Sequence, residues 1–264
     1  MQGLNSTVTG ILKKMLFYVM LIIIWEAVYK VTVDILGVWE AFYFPSPMDV
    51  FSSLWGLVLD NTLFIAVGAS LKRLLVGFGI SILLGTALGL LVVRSKYLDE
   101  KFSAMILGMQ TLPSICWLPF AILWYGPNEE AIIFVIAIGS TFAITLATMS
   151  GIKNVNPLYL RAAKTLGAKG LKGYWNVVLP AALPELLSGM KQGWAFAWRG
   201  LMAGEMLSAT KGLGQVLMAG RDWGGISQVV AVMLVIIFLG LTVDKIFFSQ
   251  IEANIRHRWG LDRA

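Results

Sequence analysis

Six stretches of this chain are apolar for about 20 residues each, the length at which an α-helix crosses the roughly 30 Å hydrocarbon core of a bilayer. They run from about Met15 to Val33, Leu74 to Val93, Phe102 to Trp124, Ala131 to Ser150, Ser188 to Ser208 and Gln228 to Phe247. In lipid every backbone amide needs an internal partner, so such stretches fold as helices. The expectation is an all-α, polytopic integral membrane protein with about six transmembrane helices. Residues 1–264 form one domain in this view, with about 67–250 as its core bundle. Charged residues make up only 14% of the chain, well below the roughly 25% of soluble domains.

Lys13 and Lys14 precede the first span and no small-residue cleavage site follows it, which predicts an uncleaved anchor. Lysine and arginine then set the topology. Lys13 and Lys14, then Arg94, Lys96 and Lys101, then Lys153, Arg161, Lys164, Lys169, Lys172 and Lys191, and finally Lys245, Arg256, Arg258 and Arg263 fall on one side. These are 15 of the 21 basic residues, and such an excess marks the cytoplasmic face. Both termini and the loop from Asn156 to Leu187 are therefore expected in the cytoplasm. The net charge of +6 reflects this topology rather than a nucleic-acid face. Cys116 and His257 each stand alone in the sequence, which excludes an intrachain disulfide and argues against a Cys- or His-based metal site.

Two polar segments interrupt the apolar pattern with helix signals of their own. At Pro45-Ser46-Pro47, Ser46 suits an N-cap with Pro47 at the first helical position. Val50, Phe51, Leu54, Leu57 and Val58 follow at helical spacing, as in a membrane-surface helix or a loop helix packed on the bundle. In the second segment Asn156 is an N-cap with Pro157 after it. Tyr159, Ala162, Ala163 and Leu166 then form one apolar stripe, with Arg161 and Lys164 off it and Gly167 placed to end the helix. Leu171 to Val178 reads as a second short helix, and Pro180 and Pro184 as the turn back into the membrane. On amphipathicity alone, a docking helix and a partnerless interfacial helix remain equally open.

The spacing Ala162-Ala163, Gly167, Val177-x-Leu179-Pro180 resembles the EAA loop of ABC-importer permeases. Pro45-Ser46-Pro47, Gln110-Thr111-Leu112-Pro113, Trp117-Leu118-Pro119, Ala203-Gly204-Glu205-Met206-Leu207 and Gly212-Leu213-Gly214 extend the resemblance to the permeases of nitrate, sulfonate (taurine) and bicarbonate importers. The resemblance implies a type I ABC-importer permease in a prokaryotic plasma (inner) membrane. It further implies two permease subunits, here expected to be two copies of this chain, an ATPase dimer gripping the loop, an extracytoplasmic solute-binding protein and surrounding membrane lipid. Tyr159, Arg161, Ala162, Ala163, Leu166 and Gly167 become the ATPase-coupling residues, although Arg161 stands where the family commonly has Glu. No phosphate loop is present, since Gly167-Ala-Lys-Gly-Leu-Lys-Gly173 has the wrong spacing. This chain is then a transport subunit and not an enzyme, holds no cofactor, and leaves ATP and Mg to its partner.

Charges within spans are costly and point to a solute path. Arg199 lies within the fifth span, Glu205 nearer its outer end, and Trp194 and Trp198 flank Arg199. All four are path candidates, with Arg199 favouring an anionic solute. The competing expectation is an internal ion pair of Arg199 with Glu26 or Glu205, and tryptophans packed in a core. Gly85 and Gly89, then Gly189, Gly193 and Ala197, give small faces for helix packing, with Gly200 and Gly204 expected on another face. Pro113 and Pro119 should bend the third span. An ion-coupled secondary transporter is the alternative class, but it commonly shows internal repeats, and none is evident. An integral-membrane enzyme would want clustered His, Cys or carboxylates, which Glu26 and Glu205 do not supply.

Overall fold

The computed structural model describes residues 2–168 and 170–258. Among them the regular structure is helical throughout, as the apolar runs require. The helices are α1 (Gln2–Tyr29), α2 (Pro47–Leu59), α3 (Thr62–Val93), α4 (Lys96–Thr111), α5 (Leu118–Tyr125), α6 (Glu129–Lys153), α7 (Pro157–Thr165), α8 (Leu171–Gly173), α9 (Leu179–Leu207), α10 (Leu213–Asp222), α11 (Ile226–Val243) and α12 (Ser249–Arg258). They fall into two compact units, 2–64 with Val216–Val235, and Ile65–Gln215 with 236–258.

In the first unit α1 and α2 flank a linker, and the Trp25 indole donates to the Pro45 carbonyl at 3.1 Å. Ser46 caps α2 as expected, and the cap is reciprocal: its hydroxyl accepts from the Asp49 amide at 3.1 Å while Asp49 accepts from the Ser46 amide at 3.2 Å. Ser53 bonds Ser227 at 2.8 Å, tying α2 to the start of α11.

The second unit is organised around α6, the most deeply buried span. Its Ser140, Thr141, Thr145 and Thr148 hydroxyls all donate to carbonyls one turn back, which satisfies them where water is absent. Glycines let both neighbours approach. A Cβ on Gly85 or Gly89 of α3 would lie 2.8 Å and 2.6 Å from Ile144 and Thr148, and one on Gly189 would collide with Ala147. Gly200 and Gly204 do not face elsewhere. Both continue the lane of Gly189 and Gly193 along α6, against Val135 and Ile132. Leu74, Phe78, Ile136, Ile144, Trp194, Leu201 and Phe248 close the core.

Among the described residues four helical segments are long and apolar enough to cross a membrane: Leu12–Ile35, Thr62–Val93, Glu129–Lys153 and Ile226–Ile255. The expected third span is a correction. It is not one helix but two segments, Lys96–Thr111 and Ser114–Tyr125, meeting at 98° around Leu112 and Pro113. Pro113 offers no amide to continue the helix, so the bend is a full break. α9 is long enough at 29 residues, but Glu185, Lys191, Arg199 and Glu205 lower its apolarity. The helix expected from Leu74 starts at Thr62 instead, because Ser70, Lys72 and Arg73 interrupt the apolar run without interrupting the helix.

Candidate functional site

The loop helix forms for the local reasons its sequence suggests. Asn156 Oδ1 accepts from the Leu158 amide at 2.9 Å, and Pro157 occupies the first turn. Gly167 sits at φ +85°, in the left-handed region, so the Ala168 amide can return to the Ala163 carbonyl at 2.9 Å. The expected apolar stripe, however, is split between two faces. Ala163 is buried within the same chain, and Leu160 is half-buried against Val155, Val178, Ala182 and Leu186. Leu158, Tyr159, Ala162 and Leu166 point outward with Arg161, and Leu166 is 87% exposed. Ala163 therefore belongs to the seat of α7 and not to its outward surface. Burial beside this seat pushes the Tyr174 hydroxyl above its ordinary pKa.

Pro180 and Pro184 do not turn the chain back, which corrects the sequence expectation. Helical structure runs unbroken from Leu171 through a π-helical turn at Tyr174–Val178 into α9. The Leu179 amide reaches the Tyr174 carbonyl in this wider register, one residue before the proline that cannot donate.

At the far end of α9 lies a buried polar knot. The Glu205 carboxylate is fully buried and accepts from Arg73 Nη1 at 2.8 Å, the Ser70 hydroxyl at 2.8 Å and the Gly214 amide at 3.0 Å. Arg73, 2% exposed, also donates to the Lys211 carbonyl at 2.7 Å and to Glu129 at 2.9 Å. One guanidinium, paired with two carboxylates, thus clamps α3, α6, α9 and the start of α10. Gly212 and Gly214 are required there: a Cβ on Gly212 would collide with the Glu205 carboxylate, and one on Gly214 would lie 2.6 Å from its Cβ. Glu205 is accordingly the partner of Arg73 and not of Arg199, while Glu26 pairs with Lys30 at 3.4 Å.

A cleft of about 550 Å³ with a mixed lining opens between α4, α6 and α9; Gln110, Thr111, Ser150, Glu185, Ser188 and Gln192 are its polar side, and Leu107, Leu146, Ala147 and Phe196 its apolar one. Arg199 stands one turn beyond Phe196, exposed, with its guanidinium carbon 5.5 Å from the ring centroid. Glu185, Ser188, Gln192, Phe196 and Arg199 recur at three-, four- and seven-residue intervals, so they form one face of α9. Trp194 lies on the opposite side, buried in the core, with Phe78 edge-on at 5.2 Å and Trp198 stacked at 6.2 Å. Of the four path candidates, only Arg199 stands on the cleft's face. The sequence expectations include neither Arg73 nor Gln192 and Glu185. The seven-residue spacing of Glu185, Gln192 and Arg199 was the available signal.

Several helices long and apolar enough to cross a membrane, one broken pair among them and a separately seated loop helix define a polytopic α-helical membrane protein. The chain belongs to the family of binding-protein-dependent transport system inner membrane components, whose model matches residues 80–257. It is 29% identical over 238 residues to a nitrate import permease of Synechocystis sp., covering 87% of this chain and 86% of the relative. It is 28% identical over 218 residues to the taurine transport system permease of Escherichia coli, covering 81% and 79%. Inward-facing structures of a methionine ABC transporter share the fold, with a TM-score of 0.62 at 21% identity over 74% of this chain and 96% of the other. The protein is a membrane-spanning permease subunit of an ABC importer, and ATP hydrolysis resides in a separate partner. Family membership likewise implies a solute-binding protein as partner.

Proposed function

We propose that this permease carries a small anion along the α9 face of the cleft, with a second copy of the chain closing the path. One observation carries the reading. Of the four charges on α9, Lys191 pairs with Asp244 at 3.0 Å and Glu205 with Arg73, while Glu185 and Arg199 form no ion pair among the described residues and stand exposed, Arg199 being the cation of the two. An unpaired charge facing lipid costs about 3 kcal/mol or more, so such residues face a water-filled cavity or another protein surface. A symmetric pair of copies would place two such stripes around one path. The nitrate and taurine permeases among its relatives support an oxyanion or sulfonate as the solute. The exposed face of α7, with Leu158, Tyr159, Ala162 and Leu166, offers the ATPase a small apolar surface flanked by Arg161. ATP and Mg would be held there by the ATPase dimer. The basic residues support cytoplasmic termini, and the relatives of Synechocystis and Escherichia coli support a prokaryotic plasma membrane, with the binding protein delivering solute from outside.

The test is uptake of nitrate and of taurine by the purified complex in vesicles. Arg199→Gln should leave the complex assembled and lower transport of whichever is carried at least tenfold. Co-purification of two differently tagged copies checks the dimer. An assembled Arg199→Gln complex with undiminished uptake of a transported anion overturns the reading.

A further inference from the structure

The α9 stripe carries a second unpaired charge of opposite sign. Glu185 is exposed on the wall of the cleft, forms no ion pair among the described residues, and receives only the Ser150 hydroxyl, at 3.3 Å. It lies 14 residues before Arg199 on one continuous helix, about 21 Å along the axis. Gln192 falls midway and Gln110 of α4 lines the same cleft, so uncharged donors are available between the two charges. Glu185 also adjoins the seat of α7: its neighbour Leu186 packs with Val155, Val178 and Ala182 beneath that helix. The end of the stripe marked by the carboxylate is thus the end at which the coupling loop is anchored.

We propose that Glu185 is a release-determining residue, whose negative charge repels a transported anion out of the cleft at the coupling-loop end and opposes its return. This rests on the anion path proposed above. The physics is a graded potential. An anion held at the amides of Gln110 and Gln192 is about 10 Å from each charge, drawn by one and repelled by the other. At an effective dielectric of about 20 a unit charge at that distance changes the occupancy of another by roughly tenfold. Arg199 alone would make a site that fills readily and empties slowly. With Glu185 in place, a solute moved toward the loop end loses attraction and gains repulsion. The same charge raises the barrier to re-entry.

The experiment uses the whole complex with ATPase and binding protein in vesicles, with nitrate or taurine, whichever it carries, preloaded inside at graded concentrations. Glu185→Gln should let internal anion inhibit uptake at about five- to tenfold lower concentration, with turnover at zero internal anion reduced several-fold. Glu185→Lys should move inhibition further in the same direction, and Glu185→Asp should stay within twofold of wild type. Glu185 is exposed and weakly bonded, so these variants should assemble, and ATPase co-purification verifies it. If Gln and Lys leave the inhibiting concentration unchanged while Arg199→Gln abolishes uptake, the release proposal fails and the anion path stands. If Arg199→Gln transports normally, the path itself fails. If Asp behaves as Gln does, the effect is not one of charge and the proposal is likewise overturned.

Discussion

Replacing Glu205 by Gln keeps the shape of the side chain and removes the charge that Arg73 faces. In the native knot the carboxylate meets a guanidinium nitrogen, a hydroxyl and a backbone amide, all donors, at 2.8 to 3.0 Å. A Gln amide can turn only its oxygen toward them, and its NH2 group would confront at least one donor. The Arg73 cation, 2% exposed, would then keep only Glu129, which is 45% exposed, as a charged partner. Breaking a buried pair by removing one member costs roughly 3–5 kcal/mol, because the remaining charge stays desolvated. For a protein of this size that corresponds to a fall in melting temperature on the order of 10 °C. Glu129→Gln is the internal comparison. Its carboxylate is partly solvated and exposed pairs contribute about 1 kcal/mol or less, so it should lower the melting temperature by only a few degrees. Thermal unfolding of the detergent-solubilised complex, followed by intrinsic tryptophan fluorescence, measures both. A Glu205→Gln complex that melts with wild type, or one less affected than Glu129→Gln, would refute the view that this ion pair holds the end of the bundle together.

Gly214→Ala should destabilise the complex by about 1–3 kcal/mol in the same melting assay, because its Cβ would press within 2.6 Å of the Glu205 Cβ and 3.0 Å of the Met206 amide, neither free to move. The split of α7 predicts two different failures. Ala163→Asp should bury a charge against the chain's own seat and lower the yield of folded permease. Leu166→Asp should leave folding intact and reduce recovery of the ATPase in co-purification, and full recovery would remove the outward face of α7 from the docking surface.

Local signals in this sequence were legible, because a cap depends on residues one turn apart. Ser46-Pro47 and Asn156-Pro157 each start a helix where their chemistry dictates, and Gly167 takes the backbone conformation that ends one. What depends on a distant partner was not legible. Arg73 interrupts an apolar run and so looked like the boundary of a span. Its place inside α3 depends on Glu205, 132 residues away, which no local pattern reports. Amphipathicity showed that α7 has an apolar side, but the seat formed by Val178 and Leu186 takes Leu160, Ala163 is buried beside it on α7, and Leu166 is left outside. The same limit applies to α9. Its four charges look alike in sequence, and only the structure separates the ion-paired Lys191 and Glu205 from Glu185 on the cleft wall and Arg199 one turn beyond it, which have no ion pair among the described residues.

The unbroken helical run from Leu171 to Leu207 has a consequence for what lengths of chain are tolerable. A flexible joint absorbs an added residue, but a helix converts it into rotation, about 100° for each one. An insertion between Val178 and Glu185 would therefore swing Arg199 and the rest of its stripe roughly a quarter-turn away from the seat of α7. This segment tolerates exchange of an exposed side chain such as Leu183 without that consequence. Its residue count is a phase setting, which ties the azimuth of the cleft lining to the position of the loop helix.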